Sequence, residues 1–483
     1  MVFDSLGFAF FLLIVFSTYW LLFNRSAKSQ NILLLSASSF FYAYADWRFL
    51  ALLFLNIIIN YFLGIKIADS KIVKTRQQFF WIGLAFNIGV LGVFKYFNFF
   101  YDSFANLLNL FGANIEYNGL KILLPLGISF FTFQTLGYLT DVYNEEINPS
   151  RDLLIFATYV SFFPKLLAGP IERAQKFIPQ IEIKREFNYD LAVDGMRQIL
   201  WGLFAKMVIS NNCTYVADII FNDFQTENGS TLLFGAFIYA FQLYADFSGY
   251  SNIAIGVSKL FGIRLMTNFS TPYFSTNISD FWKKWHISLS SWMMDYVHAP
   301  LSFILRKYKY MGSFLSIITT FLLVGFWHGA EWKYVVFGIL NGIYFIPLIL
   351  LKRPNRIPIV AKGKMLPSIK EFFQMLALFT LVTITMIFFR AENVGVAISY
   401  ISGILSSSIL SLPEFPDMKM GLLTFILILL FIIIEWLARE QQFAIAQVGL
   451  RYSKYTRWIL YYIILFSIFI FAGSNQQFIY FQF

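Results

Sequence analysis

Apolar runs long enough to cross a bilayer recur from Leu6 to the end of the chain with short polar segments between them, and this alternation predicts its elements. The runs Leu6 to Phe23, Ile32 to Tyr44, Phe49 to Ile65, Phe79 to Tyr101 and Leu123 to Tyr143 read as spans, with a turn at Ala45-Asp46-Trp47. Further spans follow at Asp194 to Ile220, Thr231 to Phe261, Ser316 to Trp327, the run from Tyr334, Glu371 to Phe389, Leu422 to Leu437 and Trp458 to Phe471. Leu153 to Pro170 is interrupted by Pro164 and Gly169-Pro170 and carries Lys165, so it reads as a re-entrant or interfacial piece. Phe281 to Pro300 is too charged to span, and Val394 to Leu412 reads as interfacial on the outer face. The expected fold class is an all-α integral membrane bundle of about twelve spans plus re-entrant and interfacial helices, one domain over residues 1–483.

Charge orients these spans. Lysine and arginine gather at Arg25 and Lys28, Lys66 to Arg76, Glu172 to Arg185, Arg306 to Lys309, Lys352 to Lys370 and Arg439 to Arg457, which the positive-inside rule places in the cytoplasm. Both termini then fall outside, as does the loop carrying Asp102 and Glu116. Leu6 to Phe23 has an acidic start at Asp4 and basic residues after it, the reverse of a cleaved signal peptide, so it is expected to stay as the first span.

Composition agrees with that reading. Charged residues are 13% of the chain and hydrophobic ones 58%, whereas an average soluble domain is about a quarter charged. A net charge of +10 could suggest nucleic acid, but the basic residues sit in short inter-span clusters, which argues against it. The single cysteine, Cys213, gives no disulfide framework, and no metal-ligand spacing appears.

Two of the three histidines mark the candidate chemistry. His328 closes the apolar run from Ser316, and an ionisable group at membrane depth is costly enough to imply function, the alternative being a buried histidine bonded to a carbonyl. Gly325 and Gly329 flank it as a small-residue face that another helix or a substrate can approach. His286 lies in a segment where Asn277 and Asp280 resemble a helix N-cap, and Trp282, His286, Ser290 and Met293 fall at helical steps on one predicted stripe, beside Lys283 and Lys284. That stripe suits an anionic ligand arriving from the cytosol; an interfacial helix anchored by tryptophan and lysine would read the same way. Gln134, Tyr138 and Asp141, and again Gln242, Asp246 and Tyr250, form polar stripes expected to face the bundle interior. Buried Asp246 needs a cation, with Lys95, Lys165 and Lys206 available.

At these segments the sequence resembles the membrane-bound O-acyltransferase family. The likeness rests on Asn277-Ile-Ser-Asp-Phe-Trp-Lys-Lys-Trp-His286-Ile-Ser-Leu-Ser-Ser-Trp292 and Gly325-Phe-Trp-His328-Gly-Ala-Glu-Trp332. Leu124 to Gln134, Phe162 to Arg173, Tyr244 to Asn252 and the terminal Phe478 to Phe483 are similar to its alginate O-acetylation branch, so the resemblance covers nearly the whole chain. It implies a central funnel where an acyl group from a cytosolic thioester, acetyl-CoA or an acyl carrier, passes to an acceptor hydroxyl or a partner protein. It also implies that His328 is catalytic and His286 a second important position, with no metal or bound cofactor. Lys283, Lys284, Trp282, Ser290, Asp246, Gln134 and Trp327 are the accompanying donor- or substrate-binding expectations. The expected partners are an exported polysaccharide acceptor, an SGNH-hydrolase-like acetyltransferase in the periplasm and membrane lipid, and the expected location is the bacterial inner membrane. D-alanyl or peptidoglycan O-acyl transfer is the alternative within the family, and a transporter or channel the alternative outside it. The chain departs from the branch at Met294, where an arginine is usual, and at Ser302-Phe303, where two glycines are; His298 in this stretch is expected to be structural.

Overall fold

The computed structural model describes residues 1–112, 122–351, 359–447, 453–471 and 478–479. The expected loop at Glu116, residues 352–358 of the basic stretch after Leu351, residues 448–452 of the basic stretch that starts at Arg439 and the last four residues lie outside that set. Every regular element among the described residues is helical. Among the described residues, seven helical stretches are long and apolar enough to cross a membrane, Arg48–Asp69, Val73–Leu110, Ile369–Arg390 and Met418–Leu437 among them, which makes this a multi-pass membrane protein.

Two compact units make up the chain, residues Met1–Ala192 with Ser258–Leu265, and Val193–Val257 with Met266–Phe483. In the first, Ser26 and Ser29 cap the Ala27–Asp46 helix reciprocally, and Trp47 separates it from Arg48–Asp69 at the predicted turn. A cluster of buried amides then fixes the neighbouring helices: Asn87 Nδ2 donates to Asn60 Oδ1 (2.7 Å), while Asn56 Nδ2 (2.9 Å) and Thr135 Oγ1 (3.0 Å) donate to Asn87 Oδ1. Such bonds set register where lipid supplies no hydrophobic drive. The predicted Leu123 to Tyr143 span begins only at Ile128, because Pro125 resists helix and Gly127 adopts φ +74°. Phe79 to Tyr101 is in turn part of a longer run, Val73–Leu91 joined through a π-helical turn at Gly92–Tyr96 to Phe97–Leu110.

The interrupted segment breaks where proline predicts. Leu153–Ser161 and Phe163–Leu166 are separate helices, and every residue from Phe156 to Pro170 is buried. Irregular backbone enclosed by protein is the form a membrane fold tolerates. Lys165, wholly buried, lies between the rings of Tyr159 (4.4 Å) and Phe177 (4.7 Å) and bonds Gln134 Oε1.

In the second unit the Lys309–His328 helix packs on Trp332–Ile343, which packs on Ile369–Arg390. Val394–Ile404 has 11 residues, too short to span. Asp246, on the Gly229–Leu260 helix, takes Lys206 as its cation at 2.7 Å and also accepts the backbone N–H of Ile479 at 2.8 Å.

Candidate active site

His328 is the last residue of its helix, which stops because Gly329 turns into extended backbone at φ −171°. The hairpin that follows is held by the two glycines. A Cβ on Gly325 would lie 2.2 Å from Tyr334 O, and one on Gly329 would lie 2.3 Å from the Tyr334 ring. The small-residue face therefore receives the returning helix, and the space beside His328 expected for a substrate is occupied by Tyr334. His328 itself is buried, with ring contacts to Trp327 (4.8 Å), Phe389 (5.0 Å) and Phe337 (5.6 Å). Beside it is a chamber of about 10 Å³, walled by Trp282, Trp285, Phe337, Asn341 and Phe389.

His286 is not on a continuous stripe with Trp282 and Ser290. The helix carrying Trp282 ends there, His286 takes a left-handed φ of +44°, and a new helix starts at Ile287. Tertiary contacts override the helical spacing: Ile287 N–H donates to Asn268 O (2.8 Å), and Ser288 N–H (3.2 Å) and Oγ (2.9 Å) donate to Asn268 Oδ1. The backbone N–H of Ser288 identifies that amide atom as oxygen, so His286 Nδ1, 3.1 Å from it, carries the ring proton and Nε2 the lone pair. Asn268 completes the link through Nδ2 to Ser251 Oγ at 3.0 Å. Burial pushes the His286 imidazole, in the turn ahead of the Ile287–His328 stretch, down to about 3.

Trp327 joins the two histidines. Its indole meets His286 at 5.4 Å and His328 at 4.8 Å, so both imidazoles touch one ring. A cavity of about 770 Å³ shares Trp282 with the chamber at His328 and is otherwise lined by Lys283, Ser290, Ser291, Asp295 and His298 with apolar residues of the Lys309–His328 helix; His286, Trp327 and His328 are not among its lining residues. Lys283 and Ser290 thus reach the space expected of them, whereas the Lys284 ammonium is committed to Asp280 at 3.0 Å. His298 bonds Ser302 Oγ at 3.3 Å and also borders the cavity. Of the remaining expectations, Gln134 belongs to the first unit and bonds Lys165, and Asp246 is engaged with Lys206 and Ile479. The carboxylate nearest His328 in sequence, Glu331, faces Lys333 at 3.3 Å. Asn268, absent from the sequence expectations, lies in a non-helical connection with no periodic pattern to single it out.

Residues 142–389, which hold both histidines, match the membrane-bound O-acyltransferase (MBOAT) family. A probable alginate O-acetylase of Azotobacter vinelandii is 35% identical over 398 residues, 82% of this chain and 76% of its own. A peptidoglycan O-acetyltransferase of Helicobacter pylori is 32% identical over 98% of this chain and 95% of its own. A teichoic acid D-alanyltransferase of Bacillus subtilis is 30% identical over 50% of this chain and 62% of its own. A multi-pass helical protein with paired buried histidines is thereby placed among the acyl-transferring enzymes of membranes. The chain belongs to the membrane-bound O-acyltransferase family, and its activity is O-acyl transfer.

Proposed function

We propose that this enzyme moves an acetyl group from a cytosolic thioester, acetyl-CoA or an acyl carrier, to a hydroxyl of an exported polysaccharide. The observation that carries the reading is the pair of imidazoles on one indole, with Trp282 bordering both the chamber at His328 and a cavity large enough for a thioester arm. His328 is the general base: it takes the proton from the attacking hydroxyl as the oxygen adds to the thioester carbonyl. The C–S bond then breaks and the thiol leaves with a proton. His286, held by Asn268 with Nε2 as its lone-pair nitrogen, orients the donor, and Lys283 at the cavity supplies positive charge for the donor's phosphates. The chain sits in the bacterial inner membrane with about twelve spans around a funnel, and the attacking hydroxyl belongs to the polysaccharide itself or to an SGNH-hydrolase-like periplasmic partner that then passes the acetyl group on to it.

His328→Ala and His328→Gln should both lower base-releasable acetate on the exported polymer by about 10²–10⁴-fold at normal membrane abundance. A Gln variant with wild-type acetylation would remove His328 as the base. A peptidoglycan acceptor is the second reading, favoured by the relative that aligns over 98% of this chain. Acetate released from purified peptidoglycan rather than from secreted polysaccharide would select it, and released D-alanine would instead select the teichoic acid type of transfer.

A further inference from the structure

Trp282 is the only one of the site residues named above that borders both the 770 Å³ cavity and the 10 Å³ chamber at His328. Its indole is buried and fixed on three sides by Phe321 (5.0 Å), Phe281 (5.6 Å) and Phe337 (6.5 Å). The two spaces differ sharply in what they can hold. A chamber of about 10 Å³ takes about one water, hence one methyl group, whereas the cavity takes a long flexible arm. We propose that Trp282 is the specificity-determining residue for acyl length: its ring partitions the donor cavity from the chamber at His328, so that an acetyl group fits at the base and a longer chain does not.

This rests on the acyl-transfer reading above and deepens it. A thioester entering through the cavity must present its carbonyl near His328 and place whatever follows the carbonyl in the chamber. For acetyl that remainder is one methyl; for butyryl it is a propyl group that meets the walls made by Trp282, Phe337 and Phe389. Protein interiors are packed too densely for such a chain to be absorbed without moving a ring. Trp282 also has a polar end to contribute. Its Nε1–H is buried and finds no acceptor among the described residues, a desolvated donor that an acyl carbonyl in the passage can satisfy. Truncation to alanine would join chamber and cavity, whereas phenylalanine would keep the wall and remove only the donor.

The test uses the full chain in cells supplied with butyrate, with ester-bound acids released from the exported polymers by base and identified by mass spectrometry. Trp282→Ala should raise the butyryl-to-acetyl ratio by about tenfold or more, the discrimination a hydrophobic pocket draws from one or two methylenes. Trp282→Phe should keep the wild-type ratio while lowering total acetyl. A wild-type ratio in Trp282→Ala overturns the proposal, and so does loss of all esters in that variant at normal abundance, since removing a wall should admit more substrates. His328→Ala run alongside separates the two levels of inference: esters that persist without His328 refute the acyl-transfer mechanism itself, whatever Trp282 does.

Discussion

Asp246 and Lys206 show what a single buried charge demands in this molecule. Both side chains are almost fully enclosed and lie 2.7 Å apart, so removing either one strands the other away from water. Asp246→Leu or Lys206→Met alone should destabilise the protein by about 3–5 kcal/mol, read as a fall in the apparent melting midpoint in detergent. The double variant should recover most of that loss, and a double variant no better than the singles would show that the pair does something beyond cancelling charge. His286 gives a pH-dependent counterpart. Its folded value of about 3 lies below the ordinary 6.5, so the unfolded chain binds the extra proton first and stability falls as pH drops below about 6.5. At pH 5 the cost is about 2 kcal/mol, at 1.36 kcal/mol per pH unit, and His286→Gln should flatten that part of the stability profile. The histidines were legible in the sequence because ionisable residues are scarce in apolar runs. Asn268 was not, because one asparagine in an irregular connection carries no period, and its role exists only once the chain folds back on His286.

Helices were legible wherever apolar length decided them, and their ends only where a local signal marks them. Trp47 and Pro164 act through local backbone chemistry and fell where expected. The His286 break is set by Asn268, remote in sequence, so the spacing that placed Trp282, His286 and Ser290 on one stripe assumed a continuity the fold does not keep. The hairpin at His328 offers a direct test of element packing. Gly325→Ala drives a methyl to 2.2 Å from a backbone carbonyl, which cannot yield without separating two helices, whereas Gly329→Ala meets a ring that can. Gly325→Ala should therefore cut folded yield in the membrane strongly, and Tyr334→Ala should rescue Gly329→Ala but not Gly325→Ala. Equal rescue of both would mean that the hairpin spacing is set elsewhere.

For the whole molecule, the side of the membrane on which each loop lies follows from charge, and contacts in the second unit link the loops in the same grouping. Arg439 donates to Val360 O (3.1 Å) and Ala361 O (2.8 Å), and Trp436 Nε1 to Met365 O (2.8 Å), joining two segments that the positive-inside rule assigns to the cytoplasm. Asn228 donates to Leu412 O at 3.1 Å and Gly229 N–H to Ser408 Oγ at 2.8 Å, joining the loop of Asp223 and Glu227, which is acidic and carries no lysine or arginine, to the outer interfacial segment. Lys333, just after His328, bonds Ala391 O at 3.0 Å and Arg390 pairs with Asp218 at 2.7 Å, which ties the His328 end of its helix to the start of the outer interfacial segment. The charge count and the contacts are independent, since one reads loops singly and the other pairs them. Leu410→Cys and Tyr455→Cys, both at exposed positions, separate the two faces in a Cys213→Ser background. An impermeant thiol reagent should label Leu410→Cys in intact spheroplasts and Tyr455→Cys only after the membrane is opened. Labelling of Tyr455→Cys in sealed spheroplasts would invert the count from that end of the chain and, with it, the direction in which the donor reaches His328.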